Sequence, residues 1–344
     1  MSNQEFNFKK DDFQLANRKD LYVDKVYENQ SFWKTFFTTL LKNKGAVFGM
    51  VVIVIIVLFA VFAPMLSSHS INEQVITQQS LPPRIPVIEN LGILDGWKEK
   101  MVNGTITNVN LYAEKGAEDV YYFFGSDTLG RDLWYRTWSG TRVSLLIAGF
   151  AVLIDMVIGM TYGLISGYFG GKVDMVMQRF VEIINSIPTL VIATLMLIVL
   201  KPGIIPILIV LVLTGWIGMS RVARAQMLKL KEQEFILASR TLGANHFRII
   251  FKDILPNIFG QLIIMSMFSI PNAIFTETFL SYIGLGIPAP DVSLGVLISE
   301  GFKSFMAYPY MTLIPAAILG LLMLCFNLLA DGLKDALDPT MKEM

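Results

Sequence analysis

The sequence is poor in the residues that build disulfide frameworks and metal centres. It contains one cysteine and two histidines in 344 residues. A single cysteine excludes a disulfide scaffold and a cysteine-rich zinc or iron–sulfur site, and two histidines make a histidine-ligated metal unfavourable. We therefore expect no metal site and no cofactor on this chain.

Charge is also scarce, and it is balanced. Charged residues make up 16% of the chain, and 28 basic residues offset 28 acidic ones. Soluble proteins carry about 25% charged residues, so this composition is unusual for them. Zero net charge argues against a nucleic-acid-binding protein. The hydrophobic content of 53% excludes disorder over most of the chain.

Hydrophobic residues are concentrated in six long segments. A helix of about 20 apolar residues crosses the ~30 Å hydrocarbon core of a membrane. The predicted spans lie within residues 45–66, 143–171, 183–200, 202–220, 254–276 and 304–330. The first span begins too late and is too long for a cleaved signal sequence, so we expect it to remain as an anchor. The fold class is an all-α polytopic membrane protein.

Basic residues are distributed unevenly between the segments that separate these spans. Nineteen of the 28 lie in four segments: the N-terminal tail, the connection that contains Lys172 and Arg179, the connection between spans four and five, and the C-terminal tail. The positive-inside rule therefore places both termini in the cytoplasm, and an even number of spans agrees.

The same arrangement divides the chain into four parts. Residues 1–44 form a cytoplasmic tail, in which the apolar periodicity of 31–44 predicts an amphipathic helix on the inner membrane surface or an extension of the first span. Residues 67–138 form an extracytoplasmic insertion after the first span. Within it, Asn103-Gly104 between β-forming residues predicts a small hairpin. Residues 139–344 hold the other five spans.

The connection within residues 229–256 is helical on both sides of a break. Gly243 is expected to be a left-handed cap, and Asn245 a cap for the next helix. Apolar residues then recur at helical spacing and predict one apolar face: Phe247, Ile250, Phe251 and Ile254. An apolar hairpin outside the membrane needs a partner to cover it, and the small Ala238 and Ser239 would let that partner come close.

This connection resembles the cytoplasmic signature of permease subunits of ABC importers. That signature is Glu-Ala-Ala, three residues, Gly, nine residues, Ile, any residue, Leu-Pro. The corresponding positions hold Leu237-Ala238-Ser239, Gly243, Asp253 and Leu255-Pro256. Leu237 and Asp253 depart from the Glu and Ile of the pattern.

Two further segments resemble the oligopeptide, dipeptide and nickel subgroup of these permeases. Residues 125–132 resemble its Gly-Thr-Asp-x-x-Gly-Arg-Asp motif through Gly125, Asp127, Gly130, Arg131 and Asp132. Residues 281–286 are similar to its Leu-Ser-Phe-Leu-Gly-Leu-Gly stretch. Within the subgroup, the single-span lead-in and the order of motifs resemble the C-type permease of oligopeptide importers.

The resemblance implies a type I ABC importer permease with six transmembrane helices in a bacterial plasma membrane. It would translocate peptides, oligopeptides first, with dipeptides or nickel as alternatives. The implied partners are a homologous permease, two ATP-binding subunits that hold ATP and magnesium, an extracytoplasmic binding protein and membrane lipid. The hairpin would be the element that couples to the ATPases through Glu234, Leu237, Ala238, Ser239, Gly243, Leu255 and Pro256.

The sequence contains no Gly-x-x-x-x-Gly-Lys-Ser/Thr loop for ATP phosphates, so we expect no catalysis on this chain. A secondary transporter would show internal repeats and leave the hairpin unexplained. A membrane enzyme would need a catalytic cluster that this composition does not supply.

Polar residues within the spans are candidates for function, because an ionised group in hydrocarbon is costly. The candidates for the pathway wall or the contact between permeases are Asp155, Glu182, Asn185, Asn272 and Glu277.

Overall fold

The structure, a computed structural model, describes residues 32–66, 73–86, 88–91, 94–102 and 105–337. Most of the predicted tail at 1–44 lies outside these residues. The described helices, in chain order, are α1 (Phe32–Lys42), α2 (Lys44–Phe62), α3 (Leu111–Glu114), α4 (Leu133–Ile154), α5 (Met160–Phe169), α6 (Gly171–Ser186), α7 (Thr189–Leu200), α8 (Ile204–Thr214), α9 (Ile217–Leu230), α10 (Glu234–Thr241), α11 (His246–Arg248), α12 (Leu255–Leu280), α13 (Leu294–Phe302) and α14 (Tyr310–Leu337). The described strands are β1 (Trp97–Val102) and β2 (Thr105–Asn110).

Short irregular turns join several of these helices into longer stretches. Three segments are 3-10 turns: Ala63–Leu66, Ile76–Gln78 and Ile88–Leu91. Three are π turns: Asp155–Gly159, Ile249–Ile254 and Ser281–Leu285. Among the described residues, five stretches are long and apolar enough to cross a membrane: Lys44–Met65, Leu133–Phe169, Ile204–Leu230, His246–Leu285 and Tyr310–Leu337.

The remaining candidate span is bent. Helices α6 and α7 pass the length and hydropathy criteria together but meet at 76°. The bend lies at Ile187, whose backbone is extended ahead of Pro188. A residue before proline is disfavoured in the α conformation, so the run at 183–200 cannot form the single straight helix that we expected.

Small residues let α5 and α9 pack closely. Gly159, Gly163 and Gly167 recur every four residues and share one face of their helix. A Cβ atom at Gly159 would lie 2.7 Å from the Trp216 carbonyl oxygen. A Cβ atom at Gly163 would overlap with the carbonyl oxygen of Ser220. This close approach is typical of membrane helix pairs.

The insertion has a small core of its own and the predicted hairpin. Strands β1 and β2 pair antiparallel from Trp97 opposite Asn110 to Val102 opposite Thr105. The hairpin is therefore confirmed, although its Asn-Gly turn lies outside the described residues. The core consists of Leu81, Leu111, Tyr112, Ala117 and Tyr122.

Helix α1 lies at one end of the helical bundle, beside the start of α2 and the end of α14. Its Leu40 is buried, while Lys34 and Lys42 are exposed, as the amphipathic pattern predicts. Asn43 follows it, accepts a hydrogen bond from the Ala46 amide and donates one of 2.9 Å to Asp335. The start of α2 and the end of α14 therefore lie at the same end of the molecule.

Candidate functional site

The hairpin between α9 and α12 has the caps that the sequence predicts. Gly243 has φ +81°, in the left-handed region. The Ala244 amide donates to the Ser239 carbonyl at 3.0 Å and closes the end of α10. The Asn245 side chain accepts from the Arg248 amide at 2.7 Å and begins the next helix. Both predicted caps are confirmed.

Apolar side chains are exposed at the end of this hairpin. Ile236 is fully buried and anchors α10, whereas Leu237 is 48% and Leu242 is 87% exposed. Ala238 is exposed between them, and Phe247 is 67% exposed on the second arm. We call Leu237, Ala238, Leu242 and Phe247 the hairpin tip. It is an apolar surface that the described part of the chain leaves exposed.

The second arm differs from the predicted pattern. Residues 249–254 form a π turn, which has more residues per turn than an α-helix. Ile250 and Ile254 are buried in a cluster with α5 and α9, but Phe247 is not. Phe247 therefore belongs to the exposed apolar part of the hairpin and packs on Phe251, with 4.6 Å between the ring centroids. A hydrogen-bonding contact of 2.8 Å between Tyr168 Oη and His246 Nδ1 adds a polar attachment.

The other predicted coupling residues flank these arms. Glu234 is the first residue of α10 and is exposed. Leu255 begins α12, and Pro256 follows in its first turn, where a missing amide hydrogen disrupts no helical hydrogen bond.

A charged pair near the hairpin went unpredicted. Asp174 on α6 accepts two hydrogen bonds of 2.6 Å from Arg224 on α9, in the bidentate arrangement that favours arginine. Ser166 donates to the same carboxylate at 2.5 Å. Fifty residues separate the two partners, and no local pattern connects them.

The Gly125–Asp132 motif lies at the opposite end of the molecule from the hairpin. Asp127 Oδ2 contacts Arg131 Nε and Arg136 Nη1, each at 2.6 Å. Glu300 Oε2 lies 3.0 Å from Arg131 Nη2 and from Arg136 Nη1. Arg136 is 1% exposed. We call Asp127, Arg131, Arg136 and Glu300 the motif network. Sequence reasoning did not predict Arg136 or Glu300 as members, because Arg136 lies outside the motif and Glu300 is distant in sequence.

The other motif residues shape the backbone around the network. Gly125 and Gly130 have φ values of +82° and +73°. A Cβ atom at Gly130 would overlap with the Val75 carbonyl oxygen, so only glycine fits there. Asp132 caps α4 by accepting from the Trp134 amide at 2.9 Å.

A second feature is a cavity of about 250 Å³ among the membrane-crossing helices. It brings together Asp155, Asn185 and Asn272, three of the five predicted polar candidates. Other polar residues line it as well: Thr189, Thr214, Ser269 and Thr276. We call it the polar cavity.

Asp155 enters this cavity from the π turn that interrupts the second long stretch. It is 3% exposed, and Ser269, which also lines the cavity, donates its hydroxyl to the Met265 carbonyl at 3.2 Å. Asn185 and Asn272, in contrast, are exposed at the rim. A π turn inside a helix is often found at a functional position.

The other two acids lie elsewhere. Glu277 is fully buried, and its carboxylate accepts hydrogen bonds from Ser281 at 2.8 Å, Ser293 at 2.5 Å and Ser144 at 3.2 Å. Glu182 is exposed and pairs with Arg179 at 2.7 Å. The structure therefore brings neither of them to the polar cavity.

Comparisons with known sequences cover most of the chain. The family described as the binding-protein-dependent transport system inner membrane component matches residues 159–343. The N-terminal transmembrane domain of oligopeptide transport permease C matches residues 31–83. The chain is 38% identical to the oligopeptide transport system permease protein OppC of Bacillus subtilis (strain 168), over 91% of each chain.

Dipeptide permeases are similar to the same extent. The dipeptide transport system permease protein DppC of Bacillus subtilis (strain 168) is 38% identical over 96% of this chain and 93% of its own. DppC of Lactococcus lactis subsp. cremoris (strain MG1363) is 41% identical, with 91% and 92% covered. A chain of the inward-facing MetNI methionine ABC transporter has a TM-score of 0.50 at 18% identity, over 59% of this chain and 97% of that one. This last likeness concerns the fold, and it confirms the predicted all-α permease class.

Proposed function

This chain belongs to the family of inner membrane components of binding-protein-dependent transport systems, and we propose that it is a permease subunit of an ATP-driven peptide importer. One observation carries the proposal: relatives named as oligopeptide and dipeptide permeases are 38% identical over more than nine-tenths of the chain. The substrate class is therefore peptides, delivered by an extracytoplasmic binding protein.

The hairpin tip supports two ATP-binding subunits as partners. It presents exposed Leu237 and Leu242 around the small Ala238, and a free apolar surface of this kind is a typical protein contact. The ATP and magnesium would be held by those subunits. Closure of their dimer would move the hairpin as a rigid body, and the buried Ile250 and Ile254 would transmit that movement to α5 and α9.

The polar cavity supports a second, homologous permease as a partner. Asn185 and Asn272 are exposed at its rim. Polar side chains at membrane depth face protein or a water-filled space rather than lipid. We infer that the second permease covers this face and that the cavity forms part of the pathway wall between the two subunits.

The orientation of the chain in the membrane follows from the proposed contact between the hairpin and the ATPases. If the hairpin contacts ATPases, its end of the molecule is cytoplasmic, together with the start of α2 and the end of α14, which the Asn43–Asp335 hydrogen bond joins. The distribution of basic residues predicts the same orientation. Residues 67–138 would then lie outside, where a binding protein docks.

Two experiments test the proposal. Co-expression with candidate ATPase subunits should give a stable complex, and proteoliposomes with that complex, ATP and the binding protein should accumulate peptide. Failure of peptide uptake by the complete, ATP-hydrolysing complex would contradict the substrate class.

For orientation, single cysteines at Lys34 and Thr107, in a background in which Cys325 is replaced by alanine, should react from opposite sides of the membrane. Reaction of both from outside would overturn the orientation.

A further inference from the structure

The polar cavity contains one carboxyl group and several neutral acceptors. Asp155 contributes the carboxylate, and hydroxyl or amide oxygens come from Asn185, Thr189, Thr214, Ser269, Asn272 and Thr276. Among the described residues that line the cavity, none is lysine, arginine or histidine. The cavity is therefore equipped to accept hydrogen bonds from a cation.

Glu277 is a second buried acid, and its surroundings differ from those of Asp155. Glu277 has three serine hydroxyls around it and is sealed from solvent. Asp155 instead borders a space of about 250 Å³, whose lining includes the hydroxyl of Ser269 and the amides of Asn185 and Asn272. A carboxylate at membrane depth is costly unless another charge compensates it, so a cationic guest would stabilise Asp155.

The ligand chemistry can be narrowed further. A primary ammonium group has three N–H donors and needs one counter-ion plus neutral acceptors, which this cavity offers. Nickel(II) in proteins favours nitrogen ligands such as imidazole, and the described residues that line the cavity include no imidazole and no thiol. The observed donor set suits an organic cation better than a transition metal.

We propose that the polar cavity binds the N-terminal ammonium group of a peptide in transit, with Asp155 as its counter-ion. This inference rests on the proposed peptide-import function. Every unmodified peptide carries this group whatever its side chains, so a site for it would orient substrates of different sequence. The amide and hydroxyl oxygens would accept the remaining N–H groups.

The test uses the complete importer in proteoliposomes and two lysine-free peptides of the same composition. One carries a photoreactive diazirine amino acid in the first position, and the other carries it in the last. After illumination during ATP-driven uptake, labelled residues are mapped by mass spectrometry. The first-position probe should label residues 184–189, 211–217 or 269–276, and the last-position probe should label elsewhere.

A third peptide separates the two sources of an ammonium group. It contains lysine beside the diazirine in its last position, so labelling of the cavity by this peptide would show that any primary ammonium is accepted. Equal labelling by the two lysine-free peptides, or labelling only from the last position, would overturn the inference. If neither is taken up, the proposed peptide-import function itself fails, and the two failures are therefore distinguishable.

Variants of Asp155 provide the second measurement. Asp155→Asn should lower uptake about tenfold, the loss expected for one charge-assisted hydrogen bond, and should abolish the difference between the two probes. Asp155→Glu should keep that difference. Co-purification of the subunits checks that each variant assembles. A fully assembled Asp155→Asn importer that keeps the labelling difference would contradict the role of Asp155.

Discussion

The two ends of the molecule are built on opposite principles. At the motif network, four charged residues pair within the chain, and Arg136 is almost completely buried. At the hairpin tip, the apolar side chains of Leu242 and Phe247 are 87% and 67% exposed. At the first end each of the four charged residues has an ion-pair partner within the chain, whereas the second end exposes apolar side chains that a partner would cover. Substitutions at the first should therefore reduce stability, and substitutions at the second should reduce transport.

The largest effect on stability is expected at the motif network. Asp127→Asn leaves Arg131 and Arg136 with Glu300 as their remaining carboxylate, and breaking a buried ion pair costs about 3–5 kcal/mol. Thermal unfolding of the purified protein in detergent should show the loss. The matched control is Glu182→Gln, because the exposed Glu182–Arg179 pair contributes only ~0–1 kcal/mol. Equal losses in the two variants would contradict the comparison.

Substitution of two glycines with similar backbone conformations separates the cost of left-handed backbone strain from the cost of steric overlap. Gly130 and Gly243 have φ values of +73° and +81°. A Cβ atom at Gly130 would overlap with the Val75 carbonyl oxygen, whereas one at Gly243 would meet nothing within 4 Å. Alanine at Gly243 should cost about 1–2 kcal/mol from left-handed strain alone, and alanine at Gly130 should cost more. Thermal unfolding of both variants measures the difference, and equal costs would show that crowding at Gly130 is relieved.

Ala238→Trp should leave the stability of the isolated chain almost unchanged, because Ala238 is exposed and an isolated surface substitution stays within about 0.5 kcal/mol. In the assembled importer it should prevent close contact with the ATPase and reduce peptide uptake together with stimulated ATP hydrolysis. Uptake and hydrolysis are measured side by side in proteoliposomes. Leu237→Glu is the control and should be tolerated, since it restores the residue of the family signature. Unchanged uptake and assembly in Ala238→Trp would remove the hairpin tip from the coupling surface.

The smallest expected effect on stability concerns the Arg84–Glu89 ion pair of the insertion. The Arg84 guanidinium donates to Glu89 at 2.6 Å and lowers the pKa of that carboxyl below its ordinary value of 4.5. A lowered pKa in the folded state stabilises the protein above the unfolded pKa, and the stabilisation is lost as the pH falls through the folded value. Glu89→Gln should therefore be slightly less stable than the unchanged protein at pH 7, with the gap closing in acid. A gap in thermal stability that stayed constant from neutral to acidic pH would contradict this assignment.

Local patterns in the sequence predicted the local features of the structure. The caps at Gly243 and Asn245 depend on residues within one helical turn, and the β hairpin depends on the residues on each side of Asn103-Gly104. Phe247 is exposed whereas Ile250 and Ile254 are buried, and the π turn that follows Phe247 changes the periodicity that α-helical spacing assumes. The polar candidates were selected by residue type and by position within the spans, and neither property shows what surrounds the carboxyl groups of Glu277 and Asp155.

By itself, the sequence determined the membrane class, the six apolar segments, the positions of the hairpin and the insertion, and the absence of a phosphate-binding loop. These properties follow from the length, composition and short-range periodicity of the chain, which are visible without a fold. Only the tertiary structure decided that Glu300 joins Asp127, that Arg224 pairs with Asp174, and that Asp155 borders a cavity while serines enclose Glu277. Each of these arrangements brings together residues that are distant in sequence. A carboxyl group has a different role when its neighbours are serines, arginines or an open space.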